Sequence, residues 1–374
     1  MQEHSRSQGR TLMLDEIREQ PEAIQRTLTN TGDAARQVAL DAVQRDVDVI
    51  ILAARGTSDH AALYAQYLFQ YLNGIPVALA TPSLFTLYGA SLRFERALVI
   101  GISQSGESPD IVEVVARARQ AGALTVGITN LEGSSLAKTA HHTLLCHAGL
   151  ERSVAATKTY TTTCTVLAML AACMPGGEVL QSGIQQIPEL VAAALNSEDS
   201  IARLAERYVF ARNCVVLGRV FQYSTAREMA LKLEETCYVV STPFSTADFR
   251  HGPAALIEAG LPVILFASPG RTIDDSLELL QLLHERSADC MVITEEQRLQ
   301  ELATISVLLK LPPVAGGAVH GRGAAGDAKA THVAELLAPI PYIVPGQLFA
   351  QYLALAKGLN PDQPRGLTKV TRTL

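Results

Sequence analysis

Charge is sparse in this 374-residue chain: Asp, Glu, Lys and Arg make up 18% of it, the net charge is −6, and no basic run occurs. That excludes a general nucleic-acid binder, which would carry a basic footprint. There is no Cys/His spacing suited to zinc and no evident helix-turn-helix extension. No uninterrupted apolar stretch reaches the roughly 18 residues that a membrane helix requires. The opening MQEHSRSQGR is polar and lacks the apolar core of a signal peptide. The six cysteines (Cys146, Cys164, Cys173, Cys214, Cys237 and Cys290) sit mostly in apolar segments without CxxC spacing. Buried free thiols in a reducing compartment explain them better than disulfides, and the expected address is cytoplasmic.

What is present is a high apolar content, 48%, in a chain long enough for about two domains. Strand-like runs at 47–53, 76–80, 97–102, 124–128 and 142–146 alternate with helical patterns at 58–72, 83–88, 108–121 and 135–139. A longer helix is expected over 157–174. This order predicts a parallel sheet covered by helices on both faces. Pro175-Gly176-Gly177 breaks the pattern, and 189–208 reads as one connecting helix. A second round follows, with strands at 214–217, 262–266, 290–294 and 305–309 and helices at 224–237 and 274–285. The fold class is thus α/β, with two doubly wound parallel-sheet domains of the flavodoxin-like three-layer kind and a C-terminal tail. The expected division is an N-terminal segment (1–30), a first domain (31–180), a second (200–345), and a final helix and tail (346–374), with the helix at 346–357. The small, Gly-rich stretch 313–331 reads as a mobile surface loop.

The most informative stretch is Ile102-Ser103-Gln104-Ser105-Gly106-Glu107-Ser108, which follows the apolar run from Ala97. A buried strand there ends in a hydroxyl-rich turn and leads into a helix. Such a turn directs donors and the positive end of a helix at one point, which suits a phosphate ester. An ordinary serine-rich N-cap would give the same string, so the motif alone leaves both readings open.

Other segments join it: Ala54-Arg55-Gly56-Thr57-Ser58 at the end of the first strand, Val154-Ala155-Ala156-Thr157-Lys158 opening a helix, Ala230-Leu231-Lys232-Leu233-Glu234-Glu235, Phe249-Arg250-His251-Gly252-Pro253, and Arg365-Gly366-Leu367-Thr368-Lys369 in the tail. Together, in this order, they resemble the sugar isomerase (SIS) domains of glucosamine-6-phosphate synthase, the glutamine:fructose-6-phosphate amidotransferase. The resemblance runs from about Leu12, with Glu16-Ile17-Arg18-Glu19-Gln20-Pro21 similar to the entry into the isomerase half. The synthase also has a glutaminase domain whose first residue is a nucleophilic cysteine. This chain opens Met-Gln-Glu with no cysteine before Cys146, so the expectation is a sugar half standing alone.

The resemblance implies roles residue by residue. Ser103, Gln104, Ser105 and Ser108 would hold the sugar phosphate with Thr57 and Ser58 nearby, and Val154 and Ala156 would line the sugar. Position 156 is commonly serine in the synthase, so one sugar hydrogen bond is in doubt. Glu235 would shuttle the proton between C2 and C1, a task that partial burial of a carboxylate favours. Without the resemblance it is an ordinary exposed helical glutamate. Lys232, three residues earlier on the same helix face, would contact sugar hydroxyls and assist; the plain alternative is a surface ion pair. His251 would open the sugar ring from across a homodimer interface. Lys369 would form an imine with the ketose, its amine kept neutral by burial, where a residue so near a terminus is ordinarily solvated. A further departure is Gly218-Arg219-Val220, where the synthase usually has a second glycine.

No metal, nucleotide or redox cofactor is implied, and neither nucleic acid nor membrane is an expected partner. The implied ligand is a phosphorylated amino sugar. The expected activity is glucosamine-6-phosphate deamination to fructose 6-phosphate and ammonia. A fructosamine-6-phosphate deglycase and a plain aldose–ketose isomerase are the alternative enzymes. A non-catalytic sugar-phosphate sensor is the alternative of another class, and it would not need Glu235, His251 and Lys369 together.

Overall fold

Runs such as 97–102 and 124–129 are buried along their whole length, as strands of a parallel sheet covered on both faces must be. The computed structural model describes residues 11–90, 93–316, 318–319 and 331–369. Helices α1 (Leu12–Arg18) and α2 (Gln20–Gln44) lead into β1 (Val49–Ala53), α3 (Thr57–Leu72), β2 (Val77–Leu79), α4 (Pro82–Thr86) and β3 (Ala97–Ile102). The first domain continues through α5 (Pro109–Gln120), β4 (Leu124–Thr129), α6 (Ser135–Thr139), β5 (His142–Leu145) and α7 (Lys158–Cys173). A helical link of α8 (Gln181–Ile184), α9 (Ile187–Leu195) and α10 (Glu198–Arg207) connects to the second. There follow β6 (Asn213–Gly218), α11 (Phe221–Cys237), β7 (Val240–Ser245), α12 (Thr246–Arg250), β8 (Pro262–Ala267), α13 (Ile273–Glu285), β9 (Asp289–Thr294) and β10 (Ile305–Leu308). A short antiparallel pair, β11 (Ala318–Val319) with β12 (Thr331–His332), precedes α14 (Val333–Leu337) and α15 (Pro339–Ala356).

Both five-stranded sheets are parallel and share one topology: β2-β1-β3-β4-β5 is repeated as β7-β6-β8-β9-β10. In each, the chain reverses direction across the sheet between its first and third strands, where open α/β sheets bind ligands. One continuous apolar core spans both domains, built from α2, α3, α7, α11 and α15 and the sheet faces against them. Smaller clusters back the outer faces of each sheet. Helix α3 of the first domain packs on α11 of the second, so side chains on these helices are held in register across the junction. All six cysteines are unpaired, five of them buried. Among the described residues no helix is long and apolar enough to cross a membrane.

Several elements differ from expectation. The connecting helix expected over 189–208 is two helices, α9 and α10, separated at Asn196 and Ser197. Strand β7 was not anticipated, because Pro243 and three hydroxyl residues disguise it; as an edge strand it tolerates a proline that a central strand would not. The last helix begins at Pro339 rather than 346. Pro339 and Pro341 fall in its first turn, where a missing N–H is harmless. Residue 30, the expected end of the N-terminal segment, lies inside the 25-residue α2. Most of the Gly-rich stretch 313–331, expected as a mobile loop, lies outside the described residues.

Gly56 and Val220 occupy the same place in the two domains, immediately before α3 and α11. Their backbones match, with φ 54° and ψ −130° at Gly56 and φ 51° and ψ −113° at Val220. Glycine adopts this conformation freely, but a β-branched residue is strained there. The departure seen in the sequence therefore changes the residue without changing the turn. Val220→Gly is expected to raise unfolding stability by about 1 kcal/mol, since relief of strain outweighs the lost partial burial of the isopropyl group. Urea unfolding of the two proteins measures it; a less stable variant would show that the packing of Val220 dominates.

Candidate active site

A cleft of about 350 Å³ opens at the carboxyl ends of β1 and β3, within the range that small ligands occupy. Its walls come from the starts of α3 and α5, the segment before α7, the last turns of α11 and the C-terminal tail. Of the residues singled out from the sequence, Thr57, Ser58, Ser103, Gln104, Ser105, Ser108, Val154, Ala156, Glu235 and Lys369 all line it. Lys232 lies directly behind Glu235, and His251 is not part of the lining.

The serine turn is held by its own hydrogen bonds. Ser103 Oγ lies 3.0 Å from Ser108 Oγ and accepts from Gly106 N at 3.2 Å, and Ser105 Oγ accepts from Glu107 N at 3.3 Å. Gly106 has φ 65°, and a Cβ there would overlap the Ser134 and Thr129 hydroxyls, so the turn needs glycine twice over. The acidic residue of the motif is directed elsewhere: Glu107 accepts from Ser135 N at 2.9 Å and from Ser135 Oγ at 2.7 Å. No carboxylate of the turn itself is thereby left to repel an anion. Helices α3 and α5 both begin at the cleft, and their dipoles favour negative charge there.

Three charged residues on α11, Glu228, Lys232 and Glu235, follow i, i+4, i+7 spacing and share one helix face. Glu228 and Lys232 are fully buried, with Lys232 Nζ 3.4 Å from Glu228 Oε1 and 2.5 Å from Glu235 Oε2. The first domain contributes Thr57, whose hydroxyl donates to Glu228 at 3.1 Å and accepts from Lys232 at 3.2 Å. His60 Nδ1 lies 2.7 Å from Glu228 Oε2. The Thr57 hydroxyl thus joins the first domain to this pair on α11 at the edge of the cleft. Burial opposes the charge on Lys232, but Glu228 and Glu235 outweigh it and hold its pKa above the ordinary lysine value. Lys232 is therefore an ammonium through the neutral range, and any part it takes in proton transfer is electrostatic. The Glu235 side chain, 22% exposed, meets the cleft on one side and this ammonium on the other.

Over its described residues the tail is tied down by a series of contacts. Asp362 accepts from Leu12 N and Met13 N, each at 2.8 Å, at the start of α1. Tyr238 ends α11 in the left-handed region (φ 55°, ψ 35°); its hydroxyl accepts from Arg365 N at 2.9 Å, and the Arg365 guanidinium lies 4.0 Å over its ring. Lys369 Nζ then donates to Glu151 Oε2 at 2.8 Å and to the Ser153 carbonyl at 2.6 Å. The amine expected to be buried is partly so: its side chain is 25% exposed and paired with a carboxylate. Glu151 is buried. Burial alone would raise its pKa, but Lys369 and the bonds from Thr157 and Thr159 hold it below the usual carboxylate value. Glu16, also buried, accepts from Arg152 N and Ser153 N and so fixes the strand of chain on which Lys369 rests.

His251 caps the short helix α12 and is exposed. Sequence reading missed Glu151, His60 and Glu228. His60 carries no local signal because Glu228 comes from a distant segment, and Glu151, though bonded to nearby Thr157 and Thr159, meets Lys369 only from the far end of the chain, whereas the spacing of 228, 232 and 235 does mark a shared helix face. Among the described residues no group of three or more His, Cys, Asp or Glu side chains is arranged to hold a metal.

The SIS domain description matches residues 45–173 and 209–318. Glutamine-fructose-6-phosphate aminotransferase (isomerizing) from Pyrococcus horikoshii is 37% identical over 362 residues, covering 96% of this chain and 57% of the relative. The same-named protein of Thermococcus kodakarensis is 37% identical over 367 residues, with the same two coverages. This chain thus spans little more than half the length of these relatives. Among solved structures, the C-terminal domain of glucosamine-fructose-6-phosphate aminotransferase from Francisella tularensis superposes with a TM-score of 0.79 at 26% identity, covering 95% of this chain and 98% of that one. With two matched segments falling on its two sheets and relatives at this identity along nearly its whole length, the chain belongs to the SIS domain family.

Proposed function

We propose that this SIS-family enzyme is a glucosamine-6-phosphate deaminase, converting D-glucosamine 6-phosphate and water to D-fructose 6-phosphate and ammonia. The observation that carries the reading is that Glu235 and Lys369, from opposite ends of the second half, line one cleft with the serine turn. The phosphate sits on Ser103, Gln104, Ser105 and Ser108 at the start of α5, with Ser58 at the start of α3. Val154 and Ala156 flank the sugar, and Ala156 offers no hydroxyl to it.

His251 reaches the cleft from the second copy in a homodimer and passes a proton between the anomeric hydroxyl and the ring oxygen, opening the ring. Glu235 removes the proton from C2 of the open-chain aldehyde and returns it to C1, leaving an imine at C2. Water adds to that carbon and the C–N bond breaks, which releases ammonia and leaves the ketone of fructose 6-phosphate. Lys369 offers a second route: it displaces ammonia as a neutral amine, and water then hydrolyses the enzyme-bound imine. For that it must first leave Glu151 and lose its proton. No cofactor enters the scheme.

The test is incubation of the purified protein with glucosamine 6-phosphate, which is expected to yield ammonia and fructose 6-phosphate in equal amounts. Binding of the sugar phosphate without ammonia release would make the protein a sensor. Release only from fructosamine 6-phosphates would make it a deglycase.

A further inference from the structure

Arg55 lines the phosphate side of the cleft, and none of the roles above uses it. It stands two residues beyond the end of β1, the strand flanked by β2 and β3 in the sheet. Its Nε donates to Asp110 Oδ2 at 2.8 Å, and its Nη2 donates to Ser83 Oγ at 3.3 Å. Asp110 is in the first turn of α5, immediately after the serine turn, and its side chain is 1% exposed while that of Arg55 is 48% exposed. Asp110 Oδ1 is satisfied by Ile111 N at 3.0 Å. A buried carboxylate therefore grips one edge of the guanidinium, and with Asp110 and Ser83 taking two of its five donors, a half-exposed head that lines the cleft keeps donors to spare. This is the arrangement that orients an arginine toward an anion: the fork is held by a rigid partner and retains donors for a second oxyanion.

We infer that Arg55 is a phosphate ligand and a determinant of selectivity for phosphorylated sugars, adding a directed cation to a subsite otherwise made of hydroxyls and helix termini. The inference rests on the proposed reading of the serine turn as the phosphate site. It does not depend on which sugar reaction follows. A competing explanation is that Arg55 only neutralises Asp110, which would otherwise repel an anion from the start of α5.

Calorimetric titration with fructose 6-phosphate separates the two. Arg55→Ala is expected to weaken binding about 10- to 100-fold, as loss of a charge-assisted hydrogen bond does. The double variant Arg55→Ala/Asp110→Asn, which has no carboxylate to neutralise, is expected to remain as weak. Arg55→Lys, which keeps a charge beside Asp110 but loses the fork, is expected to bind several-fold more weakly than the unaltered protein and serves if the alanine variants fold poorly. Restored affinity in the double variant, or undiminished affinity in Arg55→Lys, would overturn the inference. If the unaltered protein binds neither fructose 6-phosphate nor inorganic phosphate, the phosphate site fails and Arg55 with it. If it binds with the expected variant pattern yet releases no ammonia, only the deaminase reading falls.

Discussion

Glu235→Gln is expected to lower kcat for glucosamine 6-phosphate about 10³-fold with little change in KM, the loss typical of removing a positioned acid–base group. The amide has nearly the same size and can still accept a hydrogen bond from Lys232, whose Nζ lies 2.5 Å from the carboxylate. Packing and substrate contacts are therefore preserved, and only the capacity to carry a proton is removed. A direct readout is exchange of the substrate's carbon-bound hydrogen with deuterium from solvent, because the C2-to-C1 transfer passes the proton through this one group. Exchange is expected to disappear in Glu235→Gln together with ammonia release. In Lys369→Ala exchange is expected to persist, since that variant keeps the base and loses only the amine. Undiminished exchange in Glu235→Gln would assign the proton transfer to another residue. Among the described carboxylates near the cleft, Glu151 is already occupied by Lys369, Thr157 and Thr159, Glu228 by Thr57, His60 and Lys232, and Asp110 by Arg55.

The contrast between legible and hidden features has physical causes. Strands β3 and β8 are continuous apolar runs because both faces are covered, and such runs stand out in any sequence. Strand β7 stays hidden because an edge position accepts Pro243 and hydroxyl side chains. Helix α2 carries Thr, Asn and Gly along its length and is stabilised mainly by burying one stripe against α7, a tertiary gain that propensity does not register. The serine turn could be read because its residues are contiguous and its glycine is demanded by the backbone. The surroundings of Lys369 could not: Glu151 and Ser153 lie more than two hundred positions away, and the tail reaches them only because Asp362, Tyr238 and Arg365 tie it down. The pairing of His60 with Glu228 likewise exists only once α3 meets α11.

Lys232→Met is expected to reduce unfolding stability by about 3–5 kcal/mol, the range for breaking a buried ion pair from one side. Read as a surface i, i+4 pair on α11, the same contact would be worth only about 0.3–0.5 kcal/mol. The observed burial decides between these, since neither Lys232 nor Glu228 exposes any side-chain surface. Removing the ammonium leaves Glu228 with Thr57 and His60 but without its cation, and brings two carboxylates of one helix face together unscreened. A second substitution, Glu228→Gln, is expected to recover most of the lost stability, because a neutral amide beside methionine no longer needs a counter-charge. Catalysis is expected to stay low in that double variant, as Glu235 still lacks the cation that positions it. Linkage has a definite sign here. The pKa of Lys232 is raised in the folded state, so its contribution is fully present below the ordinary lysine value and is lost only as pH climbs through the folded one. Urea unfolding near neutral pH therefore reads the whole effect, and a loss below about 1 kcal/mol would mean that water reaches this helix face and that the junction between the domains is looser than its packing.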